Sequence, residues 1–132
     1  MADQQRDARP YGQVLDAYLE HGGVLQPVAA GIPLPAGERC FGIGSGKLVR
    51  QEAGAWRPVD RGLIHVTDRR LVIEGAEGRT EIPLATVRSV ADTSLLVEVR
   101  TDDGTWGLVL PYPDYWRVLL DQVLRARGRT PA

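Results

Sequence analysis

A chain of 132 residues, 43% hydrophobic and 25% charged, fits one globular domain with a single core and leaves no room for a second. The 16 Lys+Arg against 17 Asp+Glu give a formal net charge of −1, which excludes a generally basic nucleic-acid clamp and an acidic tail, so charge-driven binding has to be local. No apolar run approaches the ~20 residues of a membrane-spanning helix, and the polar opening Met1–Asp7 is unlike a signal peptide. With a lone Cys40 unable to form an internal disulfide, a soluble cytoplasmic protein is expected. Arg fills every basic position except Lys47, a bias of GC-rich bacterial genomes.

The first predicted element is a helix over Pro10–His21. Its apolar residues Tyr11, Val14, Leu15, Tyr18 and Leu19 recur at helical spacing, and Gly22-Gly23 stops it. Between Val24 and Gly37 the prolines at 27, 33 and 35 forbid a helix or an interior strand, so an extended connector is predicted. Period-two alternation then takes over. Arg39–Arg50 reads as a long first strand whose glycines at 42, 44 and 46 permit bending, and Gln51–Asp60, with Gly54 and Pro58, reads as a loop.

The stretch Gly62–Gly75 predicts a hairpin with Asp68-Arg69 at its tip. Val66 then pairs with Leu71 and Ile64 with Ile73 on one face, while His65 opposes Val72 and Leu63 opposes Glu74 on the less buried one. Because Asp-Arg is not a favoured two-residue turn, a looser tip is expected. Strands follow at Arg79–Leu84, Thr86–Val90, Ser94–Arg100 and Thr105–Leu110, with Thr101–Gly104 as a hairpin turn. From Asp114 the residues Trp116, Leu119, Leu120, Val123 and Leu124 form the apolar stripe of a final helix, and a frayed tail is expected over 128–132.

About seven short strands and a C-terminal amphipathic helix match a pleckstrin-homology-like architecture, a mainly β, bent sandwich or partly open barrel, here with an additional N-terminal helix. The run Gly62–Gly75, the Ile82-Pro83-Leu84 strand, the Val87-Arg88-Ser89-Val90 segment and the Pro35–Cys40 entry together resemble bacterial PH-like and GRAM-like domains. That resemblance covers Pro35 to about Leu124. It implies a PH-like domain over 37–127, preceded by a helix and connector over 1–36. It also implies a non-enzymatic interaction module that takes a protein partner or an anionic headgroup and needs no cofactor.

Residue by residue, the chemistry agrees with binding over catalysis. Gly42-x-Gly44-x-Gly46-Lys47 lacks the glycine spacing, the Ser/Thr after Lys and the following helix of a phosphate loop. Cys40, His21 and His65 form no metal-ligand spacing, and no acid and base pair at a readable distance. Cys40 is expected to be a structural thiol, and His21 and the Arg125, Arg127, Arg129 cluster to complement helix C-termini. At the hairpin tip, Asp68 is expected to satisfy turn donors, Arg70 to pair with a carboxylate such as Glu81, and Arg69 to be exposed. Trp106 and Trp116 are expected in the core and Trp56 at the surface. The expected contact surface is therefore the first hairpin, with Lys47, Arg50, Trp56, Arg57 and Arg61, together with Arg69. Because Glu52 and Asp60 interrupt these cations, a protein partner is favoured over general membrane attraction. Weak anionic membrane or phosphate contact is the lesser expectation, and no nucleic acid is expected. The alternatives are a homodimer formed through the N-terminal helix and, last, a small hydrolase or transferase using Cys40 or His65.

Overall fold

A computed structural model describes residues 11–129. Helix α1 (Tyr11–Glu20) is followed by the connector, then by strands β1 (Cys40–Glu52), β2 (Ala55–Thr67), β3 (Arg70–Gly75) and β4 (Gly78–Pro83). A 3-10 turn at Leu84–Thr86 leads to β5 (Val87–Asp92), β6 (Val97–Thr101) and β7 (Gly104–Val109), and helix α2 (Pro113–Arg129) closes the chain. The seven strands form one antiparallel sheet in the order β4-β3-β2-β1-β7-β6-β5. The sheet is open, with β4 and β5 as its edges, in keeping with the bent sandwich or partly open barrel expected. Strand β1 belongs to both halves: its whole length pairs with β2, and Lys47–Arg50 pair with β7.

The predicted register holds at the second hairpin, where Val66 faces Leu71 and Ile64 faces Ile73. All four are fully buried, together with Leu48, Val97, Val99, Leu108 and the α2 residues Leu119 and Leu120. Each large side chain of this kind contributes roughly 1.5–3 kcal/mol on burial, before ordering entropy is set against it. Helix α2 reaches the sheet through a strip without side chains. Alternating residues of a strand share one face, so Gly42, Gly44 and Gly46 leave a bare strip of backbone, and α2 docks on it at Gly42 and Gly44. A Cβ on Gly44 would stand 2.7 Å from Trp116 Cζ2, and one on Gly42 would stand 2.9 Å from Trp116 Cζ3 and 2.7 Å from Leu119 Cδ2. These glycines, expected to bend the strand, are the seat of the helix.

Three further expectations change. Gln51–Asp60 is not a loop: β1 runs to Glu52, Ala53-Gly54 turn with φ of 51° and 80°, and β2 starts at Ala55. Pro58 is tolerated because β2 gains its second neighbour only from Gly62, where pairing with β3 begins, and a register shift between Leu48 and Val49 falls opposite it. His65 is fully buried, not on a less buried face. The connector covers it: Val28 N–H donates to Cys40 O at 2.8 Å, and a Cβ on Gly31 would lie 3.0 Å from His65 Nε2. Leu95 is not in β6 but in the preceding turn, 74% exposed, where Thr93 Oγ1 accepts the Leu95 and Leu96 backbone N–H groups.

Helix α1 packs on α2 of its own chain, with Leu15 against the core; the side chains of Tyr11 and Val14 lie outside the described residues. At its C-terminus His21 Nδ1 lies 2.8 Å from Ala17 O, as expected for a histidine there, and α2 continues through Gly128 to Arg129. The glycine strip yields a test. Gly44→Val is expected to lower unfolding free energy in urea by about 1–3 kcal/mol through overpacking against Trp116, whereas Ser45→Val, on the opposite and exposed face, is expected to stay within about 0.5 kcal/mol of the parent.

Candidate interaction surface

The β1–β2 hairpin arranges its cations by pairing. Lys47 stands opposite Arg61, Arg50 opposite Arg57, and Gln51 opposite Trp56. Directly opposed residues share a face. Leu48 points to the core, so Lys47, Arg61 and Trp56 lie on the outer face, away from α2, and Arg50 and Arg57 lie on the other. Trp56 rests on a second bare glycine: a Cβ on Gly107 would stand 3.2 Å from Trp56 Cζ3, 2.7 Å from Val49 Cγ2 and 3.3 Å from Leu96 Cδ2. The indole edge thereby comes close to the β7 backbone, and Trp56 remains 36% exposed.

The acids that interrupt these cations in sequence do not share the face of Lys47, Arg61 and Trp56. Asp60 Oδ1 accepts the backbone N–H groups of Arg61 at 2.8 Å and Glu77 at 3.1 Å, which pins the carboxylate to the β3–β4 turn. Glu52 opposes Ala55, in the same alternation as Arg50 and away from Trp56. The side chains of Lys47, Arg57 and Arg61 make no ion pair among the described residues. Arg50 is otherwise engaged. Its Nη2 donates to Asp103 O at 2.7 Å, and its Cζ lies 4.5 Å from the centroid of the half-buried Trp106 ring, a cation–π contact of about 0.5–1 kcal/mol. Arg50 therefore secures the β6–β7 turn.

Arg69 sits at the other end of β2, exposed at the β2–β3 tip as expected. The tip is looser than a two-residue turn, as expected: the last strand pair is Val66 with Leu71, and residues 67–70 between them are held by the Thr67 side chain. Thr67 Oγ1 accepts the backbone N–H groups of Arg69 at 3.1 Å and Arg70 at 3.0 Å. The expected role of Asp68 thus falls to Thr67, and Asp68 Oδ1 instead takes the Arg39 N–H at 3.1 Å. Thr67 also donates to Glu38 Oε2 at 2.7 Å, Arg70 Nε donates to the same oxygen at 2.9 Å, and Arg70 pairs with Glu81 as predicted. Burial on its own pushes the Glu38 carboxyl up. Hydrogen bonds from Arg70 and Thr67, with the charges of Arg70 and Arg69, outweigh it and hold the group below its ordinary 4.5. The sequence showed Glu38 only as part of the Pro35–Cys40 entry; its buried pairing comes from segments 29 and 32 residues away.

The candidate nucleophile lies in the interior. Cys40 is buried, its Sγ donates to Gly42 O at 3.4 Å, and burial pushes its thiol up, away from the reactive thiolate. His65 Nδ1 lies 3.3 Å from Val72 O, and its Nε2 has no partner in the packed interior. Among the described residues no group of three His, Cys, Asp or Glu is placed to hold a metal ion, and no described helix is long and apolar enough to cross a membrane.

No protein-family model and no curated protein sequence matches the chain. Solved structures do. The N-terminal PH domain of Vps36 superposes with a TM-score of 0.63 at 16% identity, covering 80% of this chain and 94% of that one. The N-terminal PH domain of human ARAP2 gives 0.49 at 16% identity, over 68% of this chain and 85% of that one. The C-terminal domain of an unknown Leishmania infantum protein gives 0.48 at 17% identity, over 86% and 96%. The fold assignment rests on the first: the chain has a PH-like fold.

Glu38 supplies the prediction here. A carboxyl lowered in the folded state stabilises above its ordinary range, and that stability is lost as pH falls through the lowered value. Glu38→Gln is expected to cost about 2 kcal/mol near neutral pH in urea unfolding, less than a fully buried pair because the Arg70 side chain is 19% exposed. The variant should also lose less stability than the parent on acidification below about pH 4.5. Parallel pH profiles for the two proteins would refute the assignment.

Proposed function

We propose that this PH-like chain is a non-enzymatic interaction module that binds an acidic, partly apolar segment of a protein partner through the outer face of the β1–β2 hairpin. One observation carries the reading: Trp56, next to Gly107, is exposed on the same outer face of the hairpin as the Lys47–Arg61 cross-strand pair, with the Val49–Pro58 pair between them, and Asp60 and Glu52 are turned to the other face. An exposed tryptophan flanked by cations is the composition of an interface hot spot, combining a rigid apolar anchor with charges that steer and orient. The buried, raised thiol of Cys40 supports binding over nucleophilic chemistry. A bacterial, reducing compartment accords with the lone cysteine and the near-exclusive use of Arg. Self-association through α1 loses its motive, because that helix has a partner in α2 of its own chain.

Selection of displayed random peptides on the full chain tests the reading. Sequences pairing Asp or Glu with a large apolar residue are expected to be enriched, and Trp56→Ala and Lys47→Glu plus Arg61→Glu are each expected to weaken the selected peptides at least about tenfold. Enrichment that survives both variants would remove this face. Sedimentation with phosphatidylserine vesicles in place of peptide binding, abolished by the same charge reversals, would reassign the surface to a membrane.

A further inference from the structure

At the end of the molecule away from Trp56, the described residues line an open cleft of about 780 Å³. Four segments far apart in sequence meet there: the connector at Leu25, the entry to β1 at Arg39 and Phe41, the β2–β3 tip at Asp68 and Arg69, and the last turns of α2 at Arg127. Only the folded chain brings the three arginines to one lining, and none of them has an ion-pair partner among the described residues. The nearby acids are committed elsewhere. Asp68 Oδ1 holds the Arg39 backbone N–H, and Glu38 is sealed by Thr67 and Arg70. Arg69 Nη2 rests along the backbone of Gly37, 3.4 Å from where a Cβ would stand. Leu25 and Phe41 are partly buried against the core and give the cleft an apolar side.

We propose that this cleft binds a phosphate monoester joined to an apolar group. Three arginines against one aspartate leave the lining with a surplus of two positive charges, which a phosphate monoester, carrying about −1.5 to −2 at neutral pH, offsets. Planar guanidinium forks suit its oxygens and lose less freedom on binding than lysines would. The volume lies within the roughly 300–1,000 Å³ of small-ligand sites, and Phe41 and Leu25 receive the apolar carrier. None of Lys47, Trp56 or Arg61 takes part, so this site stands or falls apart from the hairpin face.

Isothermal titration of the full chain with hexyl phosphate tests the proposal. Saturable binding of one molecule per chain is expected, with inorganic phosphate weaker and hexyl glucoside silent. Arg39→Ser plus Arg127→Ser should weaken hexyl phosphate at least about tenfold without moving the urea midpoint, since both side chains are exposed and unpaired among the described residues. Arg57→Ser plus Arg61→Ser should change nothing. Hexyl glucoside binding as well as hexyl phosphate, or an unchanged affinity in the Arg39, Arg127 variant, overturns the site. Vesicles of phosphatidylcholine with phosphatidic acid then separate two sources of the same chemistry. Sedimentation lost in that variant assigns the ester to a lipid headgroup, and hexyl phosphate binding without sedimentation assigns it to a soluble molecule; both outcomes uphold the cleft.

Discussion

Trp116 lies against a strip of β1 where three alternate residues have no side chains, and the placement of every other layer depends on that contact. The strip sets how closely α2 approaches the sheet, and with it the burial of Leu119, Leu120 and Val123 over the hairpin core. A Cβ at Gly42 or Gly44 would occupy space held by the indole, so the close approach is a steric requirement on the strand rather than a preference of the helix. The same strand pairs with both β2 and β7. The helix therefore docks on the one element that joins the two halves of the sheet.

Because α2 occupies the inner face, the surfaces left for partners are the outer face and the two ends of β2. The connector takes part of that outer face, tying Val28 to Cys40 and covering His65. What stays open is the β1–β2 arm, where strand pleating puts Lys47 and Arg61 on one side and Asp60 and Glu52, with Arg50 and Arg57, on the other. Trp56 gains a fixed seat there from Gly107, which repeats on the outside the device that admits Trp116 on the inside. In both places an absent side chain lets a large aromatic ring lie close to backbone.

The opposite end is organised by Glu38. Its carboxylate gathers Thr67 and Arg70, which closes the β2–β3 tip and leaves Arg69 exposed, with no salt bridge among the described residues. A buried charge of this kind is stable only with its partners in place, so the tip, the β1 entry and the start of β3 are held as a unit. The cleft arginines project from this rigid frame and from α2.

The second hairpin was legible in the residues because branched apolar side chains alternate on both arms, and a slip by one would expose them. The final helix was legible for the same reason at helical spacing, and Trp56 at the surface followed from its polar, turn-rich neighbours. The Gln51–Asp60 segment was misread because Gly54 and Pro58 are breakers in a strand paired on both sides, whereas here the strand has a free edge. His65 was misread because period two assigns a face but does not say what lies over it; the connector that covers it is more than 30 residues away in sequence.

Sequence alone determined the order of elements, the hairpin register and the apolar stripes, since each follows from spacing within a dozen or so residues. Tertiary structure decided which glycines are seats rather than bends, which acids share a face with the arginines, and that Arg39, Arg69 and Arg127 line one cleft. Those facts depend on contacts between distant segments, and local periodicity carries no record of them.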